Sequence, residues 1–126
     1  MILDAGVLIA LERGDARACA FLRLARRRSE PLHTSEPVVA QVWRDGHRQA
    51  RLAQALAGIE IHPFDDGRAV GRLLARSSTT DPIDAHLVWL GTKLRQPILT
   101  GDQDGLVLIG LPLGPAAPEV HAWPPA

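Results

Sequence analysis

Four aspartates stand where their spacing could do chemistry. Asp4 follows the apolar run Met1-Ile2-Leu3, and Asp102 comes two residues after Ile98-Leu99-Thr100, so each lies at the carboxyl end of a candidate strand. Asp81 and Asp84 bracket Pro82-Ile83 at a candidate helix start. Carboxylates gathered at one place repel each other, and the cluster is costly unless protons or a cation compensate it. Oxygen ligands of this kind suit Mg²⁺ or Mn²⁺, ions held by a few carboxylates, waters and a substrate phosphate. A metal in that setting orients and deprotonates a water and stabilises charge on a phosphoryl group. The chemistry suggested is metal-assisted hydrolysis of a phosphate ester.

Each aspartate also has a structural role open to it. Asp81 before Pro82 reads as an N-cap with proline at the first helical position, and Asp84 in that first turn favours the helix dipole. Asp102 in Thr100-Gly101-Asp102 fits a turn. Asp4 is hardest to assign to structure alone, because a carboxylate directly after a buried strand needs a partner. Two other acidic-site folds fit poorly. A haloacid-dehalogenase-like phosphatase needs a second aspartate two residues after the first, where Gly6 stands. A receiver domain needs an adjacent acidic pair early and a lysine after a late strand, whereas Lys93 lies within a predicted helix. His33, His47, His62, His86 and His121 show no HxxxH or Cys/His spacing, which argues against a zinc site.

The elements that must position these groups follow from periodicity. A strand ending at Asp4 hands over to a helix from about Gly6. Ala18, Phe21, Leu22 and Ala25 repeat at helical spacing between Asp15 and Arg28, with Gly14-Asp15 as break and cap. Leu32-His33-Thr34 reads as a short strand, and Ser35-Glu36-Pro37 opens a helix predicted to run through Val42 and Trp43 to Gly46. A further helix covers about Arg48 to Ala57. The alternation over Ile59–Phe64 is a strand pattern, and Asp65-Asp66-Gly67 turns into a helix bearing Val70, Leu73 and Leu74. Ile83, Leu87, Leu90 and Leu94 form the stripe of the helix opened by Asp81. Pro97–Thr100 is a buried strand, the tail from Gly110 is rich in glycine and proline, and Glu119–Trp123 is a last, edge strand. Strands alternating with helices favour an α/β fold with a mostly parallel sheet, in which ligands sit beyond the carboxyl ends of the strands.

Composition bounds the rest. The 126 residues are 46% hydrophobic and 22% charged, enough for one core and one domain over residues 1–126. Disordered, collagen-like and coiled-coil classes are excluded. No apolar run approaches the ~20 residues that cross a bilayer, and the start Met1-Ile2-Leu3-Asp4 is not expected to be a signal peptide. Cys19 is the only cysteine, so a reducing cytoplasm is the expected home. Net charge is zero, and 13 of the 14 basic residues are arginine because Lys93 is the only lysine. Arg23, Arg26, Arg27 and Arg28 cluster; they are a solvated helix face or, less simply, phosphate contacts. Trp43, Trp89 and Trp123 read as core or interface aromatics, and Cys19 as a small core residue.

The stretches Met1–Ile9, Pro37-Val-Val-Ala-Gln-Val-Trp-Arg44, Asp84-Ala-His86 and Leu99-Thr-Gly-Asp102 together, and in this order, resemble PIN domains. In particular they are similar to the compact VapC-type toxins of bacterial toxin–antitoxin pairs. The resemblance implies a three-layer α/β/α sandwich with a central, mostly parallel sheet, and Mg²⁺- or Mn²⁺-dependent cleavage of RNA by an activated water. Carried over residue by residue, it makes Asp4, Asp84 and Asp102 the catalytic, metal-binding carboxylates, with Thr100 orienting the last of them and Asp81 as an extra acidic residue. It also implies a small antitoxin partner that covers the acidic site, and a homodimer. One position departs from the pattern: Gln41 stands where the family usually has Glu. A neutral amide still binds or orients metal-bound water, but with one negative charge fewer, which weakens metal affinity and slows chemistry. Glu36 is a poor substitute, roughly 140° around the helix; Asp45, one turn on, is the better one. Gly6 replaces the common Ser, Thr or Asn. His86 could approach the site or substrate, though a surface or partly buried helix position is the simpler account of it; Arg44 could meet phosphate, and a surface ion pair is as ordinary a role for it.

Overall fold

The computed structural model describes residues 1–125. Five short strands alternate with seven helices: β1 (Ile2–Leu3), α1 (Ala5–Glu12), α2 (Ala16–Arg27), β2 (His33–Ser35), α3 (Glu36–Val42), α4 (Ala50–Ala57), β3 (Glu60–His62), α5 (Gly67–Ser77), α6 (Pro82–Leu94), β4 (Ile98–Thr100), α7 (Gln103–Gly110) and β5 (Val120–Ala122), with a 3-10 segment at Leu111–Ala116. Every strand pairing is parallel and the order across the sheet is β3-β2-β1-β4-β5. The α/β class, the parallel sheet and the edge position of the last strand are as the sequence predicts.

The strands are too short to be stable alone, and the helices on both faces supply the burial. On one side α1 packs against α2, α3 and α4; on the other α5, α6 and α7 pack on one another. Ile2, Leu3, Val7, Leu8, Leu87 and Ile98 are completely inaccessible, and each buried side chain of that size contributes about 1.5–3 kcal/mol. The register sets Ile2 opposite both His33 and Ile98. Strand order reverses direction between β1 and β4: the chain moves outward from β1 through β2 to β3, then returns to β4 on β1's other side. In a parallel sheet such a switch point opens a crevice beyond the carboxyl ends of the two strands.

Local caps explain where most helices begin. Asp15, Ser35 and Asp81 each accept hydrogen bonds from backbone amides of the first turn. Two elements differ from the sequence prediction. α3 stops at Val42 rather than Gly46, because the Gln49 side chain satisfies the broken ladder: its Oε1 accepts from the amides of Arg44 and Asp45 at 2.7 and 3.0 Å, and its Nε2 donates to the Val42 carbonyl at 2.8 Å. Trp43 is accordingly extended. Residues 103–110, to which the sequence pattern assigns no element before the tail at Gly110, form α7 with Leu106 and Ile109 buried. Gly91 of α6 permits the chain after the 3-10 segment to cross closely, since a Cβ there would lie 2.8 Å from the Pro118 Cβ.

Candidate active site

The crevice between the ends of β1 and β4 collects the acidic residues. Asp4 leaves β1 as the N-cap of α1, 9% exposed. Its Oδ1 accepts from the Ala5 amide at 2.7 Å and its Oδ2 from the Thr100 hydroxyl at 2.7 Å. Thr100, fully buried at the end of β4, also accepts from the Asp102 amide at 3.0 Å. The sequence expectation that Thr100 orients the Asp102 carboxylate is corrected here: the hydroxyl holds Asp102 only through its backbone amide, and donates instead to the Asp4 carboxylate, 96 residues away in sequence. That hydrogen bond is possible only because β1 and β4 are neighbours.

Asp102 caps α7, accepting from the Gly105 amide at 3.2 Å. Its carboxyl lies in the space a side chain at position 105 would occupy: a Cβ there would meet Asp102 Oδ2 at 2.2 Å. Asp81 caps α6 through the amides of Ile83 and Asp84. The capping roles open to Asp81 and Asp102 are therefore real.

Asp84 carries the electrostatic signature. Its carboxyl is pushed up from 3.8 to about 6, first by burial and then by the negative charges of Asp81, Asp4 and Asp102, with a side-chain hydrogen bond to Asp81 adding to the effect. Four carboxylates from three separate parts of the chain therefore share one electrostatic neighbourhood. They do not converge on a single point: among the described residues, only His33, Glu60 and His62 bring three ligand atoms within 4.8 Å of one another. An open set of rigid oxygens short of positive charge fits Mg²⁺ or Mn²⁺, ions that retain waters and take one or two carboxylates directly. The elevated Asp84 and the cradle at Gly105 are the observations that favour such an ion here.

Other residues fall differently. Gln41 is exposed on α3 and lines a shallow cleft with Ile9, Glu12 and Arg13, and none of the described hydrogen bonds or ion pairs joins it to the aspartates. Glu36 is exposed at the N-terminus of α3. Asp45 lies beyond the end of α3, where it accepts from the His47 amide, so it does not share the helix face of Gln41. Arg44 donates to the Ala40 and Trp43 carbonyls at the C-terminus of α3 and lines the same cleft as Gln41. His86 is wholly buried, 4.7 Å from the Phe64 ring, with both ring nitrogens lacking a partner among the described residues; burial lowers its affinity for a proton. Trp43 is 36% exposed, while Trp89 and Trp123 pack against the core. Cys19 is half-buried on α2. The histidine spacing that argued against a nitrogen-ligand site missed His33, Glu60 and His62, which only strand pairing brings together; the alternation Glu60-Ile61-His62 was the one local sign.

A family model described as PIN domain matches residues 1–108. No curated protein matches the chain. Among solved structures, the fold is similar to a chain of VapBC2 from Rickettsia felis, crystallised bound to a DNA fragment from their promoter, with TM-score 0.64, 15% identity and 97% of each chain covered. No helix of the described residues is long and apolar enough to cross a membrane.

Proposed function

The chain belongs to the PIN-domain family, and from that premise we propose that it is a metal-dependent endoribonuclease of the VapC type, the toxin of a toxin–antitoxin pair, built as one domain over residues 1–126. The observation that carries this reading is the raised Asp84 carboxyl among Asp4, Asp81 and Asp102 at the sheet's switch point. A site that holds negative charge at this cost has a use for a cation. Asp4, Asp84 and Asp102 would hold Mg²⁺ or Mn²⁺, and the ion would supply charge for the scissile phosphate and lower the pKa of a water.

The chain's own contributions are orientation and charge. Thr100 fixes the Asp4 carboxylate and, through the Asp102 amide, the turn beside it. Asp84, near half-protonated at about pH 6 without metal, would give up that proton in favour of an arriving cation, whose charge offsets those of Asp81, Asp4 and Asp102. Asp81 keeps Asp84 at the first turn of α6. Gln41 is a neutral amide where the family usually has Glu, and lies on the cleft beside Arg13.

The relative from Rickettsia felis is a complex bound to DNA, and it supports an antitoxin partner here. An antitoxin arginine paired with the aspartates would compete with the metal. Val107 and Leu108 on α7 and Leu111 just after it, exposed at 45, 49 and 65%, support a homodimer seated on this corner of the chain. The reducing cytoplasm fits a chain whose single cysteine forms no disulfide. A second reading, a PIN domain that binds RNA or a protein partner without cutting, is favoured by Gln41 alone.

Purified protein incubated with mixed cellular RNA, with Mn²⁺ or with EDTA, tests both readings when Asp4→Asn and Gln41→Glu run beside the wild type. Metal-dependent cutting lost in Asp4→Asn supports the nuclease. A silent wild type beside an active Gln41→Glu supports the binding module, and silence from both overturns the catalytic reading.

A further inference from the structure

The proposed nuclease site uses no histidine, yet three potential ligands meet on β2 and the edge strand β3. β3 is an edge strand, and its pairing with β2 sets His33 opposite Glu60 and Ser35 opposite His62. Because side chains alternate along a strand, this register brings His33, Glu60 and His62 to one face. His33 Nδ1 lies 3.0 Å from His62 Nε2 and 3.4 Å from a Glu60 carboxylate oxygen; the other Glu60 oxygen is 3.8 Å from His62 Nε2.

Protons alone satisfy this arrangement poorly. A single N–H shared between His33 Nδ1 and His62 Nε2 pairs those two nitrogens, but the Glu60 carboxylate beside them then gains no proton from either ring atom. A cation resolves the conflict. Ligands about 2.0–2.1 Å from a tetrahedral zinc stand about 3.3–3.4 Å apart; here one ligand atom from each of His33, Glu60 and His62 lies within 4.8 Å of the others, so a small side-chain adjustment sets that spacing. The imidazoles are preorganised by burial, with side chains 9 and 18% exposed, and Glu60, 67% exposed, is the point of entry.

We propose that His33, His62 and Glu60 form a second divalent-metal site, separate from the aspartates and selective for zinc over magnesium. Two imidazoles and one carboxylate suit Zn²⁺, whereas the all-oxygen aspartate set suits Mg²⁺ or Mn²⁺. Three protein ligands leave the fourth position to water. The ion fastens the three-residue edge strand β3 to β2, so zinc stabilises the folded chain through mass action. The inference is independent of the ribonuclease reading.

Calorimetric titration of metal-stripped full-length protein with Zn²⁺ alone tests it, with Co²⁺ as a spectroscopic probe. Expected are one equivalent bound in the presence of excess Mg²⁺, the intense visible bands of four-coordinate cobalt, and a rise in Tm. Glu60→Gln and His62→Asn, both at the accessible side of the site, each weaken binding by at least the ~10–100-fold that loss of a supporting residue around a metal costs. Circular dichroism verifies their folding, and either variant alone decides the matter if the other is impaired. Asp84→Asn binds zinc as the wild type does. No binding by the wild type, or zinc binding lost in Asp84→Asn but kept in Glu60→Gln and His62→Asn, overturns the proposal.

Discussion

Replacing Asp84 by Asn should move stability and metal binding in opposite directions. The ionised carboxyl is disfavoured by burial and by Asp81, Asp4 and Asp102, which raise it from 3.8 to about 6. Such a shift corresponds to about 3 kcal/mol against the charged form. Solvent screening of a half-buried group leaves about half of it, ~1–2 kcal/mol. The sign follows from proton uptake: between pH 3.8 and about 6 the folded state holds more of this proton than the unfolded chain, so stability falls as pH rises through that window. Above it the full penalty is present, and below it the penalty vanishes. The amide carries no charge, so the metal-free variant is more stable than the wild type at neutral pH, and the advantage disappears in acid. With unfolding entropy near 2.1 cal/mol/K per residue, the 126-residue chain gains about 4 °C in Tm per kcal/mol, an expected rise of ~4–8 °C. Thermal unfolding followed by circular dichroism across this pH range, with and without Mg²⁺, reads the effect. Added Mg²⁺ should raise the Tm of the wild type and leave the variant nearly unmoved. A metal-free variant no more stable than the wild type at neutral pH, or equal metal stabilisation of both proteins, refutes the electrostatic argument.

Thr100→Val keeps the shape of the buried residue but strips Asp4 Oδ2 and the Asp102 amide of a partner; urea unfolding should show a loss of ~1–3 kcal/mol, and an unchanged midpoint contradicts the role assigned to this hydroxyl. Gly105→Ala would ordinarily stabilise a helix by up to ~1 kcal/mol, but its Cβ would meet Asp102 Oδ2 at 2.2 Å. Lower stability and weaker Mn²⁺ binding are therefore expected, and a gain in both is the result that rules out the cradle. Gly91→Ala drives a methyl to 2.8 Å from Pro118, with a cost of ~1–3 kcal/mol from overpacking; an unchanged Tm would show that the connector yields freely.

Much of the fold was legible because its determinants are local. Asp15, Ser35 and Asp81 announce helix starts by chemistry confined to one turn, and the stripe of α6 or the apolar run of β4 is a pattern of near neighbours. Family-like motifs around Asp4, Asp84 and Asp102 are local as well, and each falls at the strand end or helix start the pattern suggests. What the chain's linear order does not carry is decided by pairing at a distance. α3 ends early because Gln49 folds back onto the Val42 carbonyl, which removes Asp45 from the face of Gln41. α7 was hidden among glycines that discourage helix formation until Leu106 and Ile109 are buried. The Thr100–Asp4 hydrogen bond depends on β1 and β4 being neighbours, and the meeting of His33 with Glu60 and His62 depends on the register of β2 and β3. Composition and caps determine which elements form; the order and register of strands, set by burial of both sheet faces at once, determine which side chains meet.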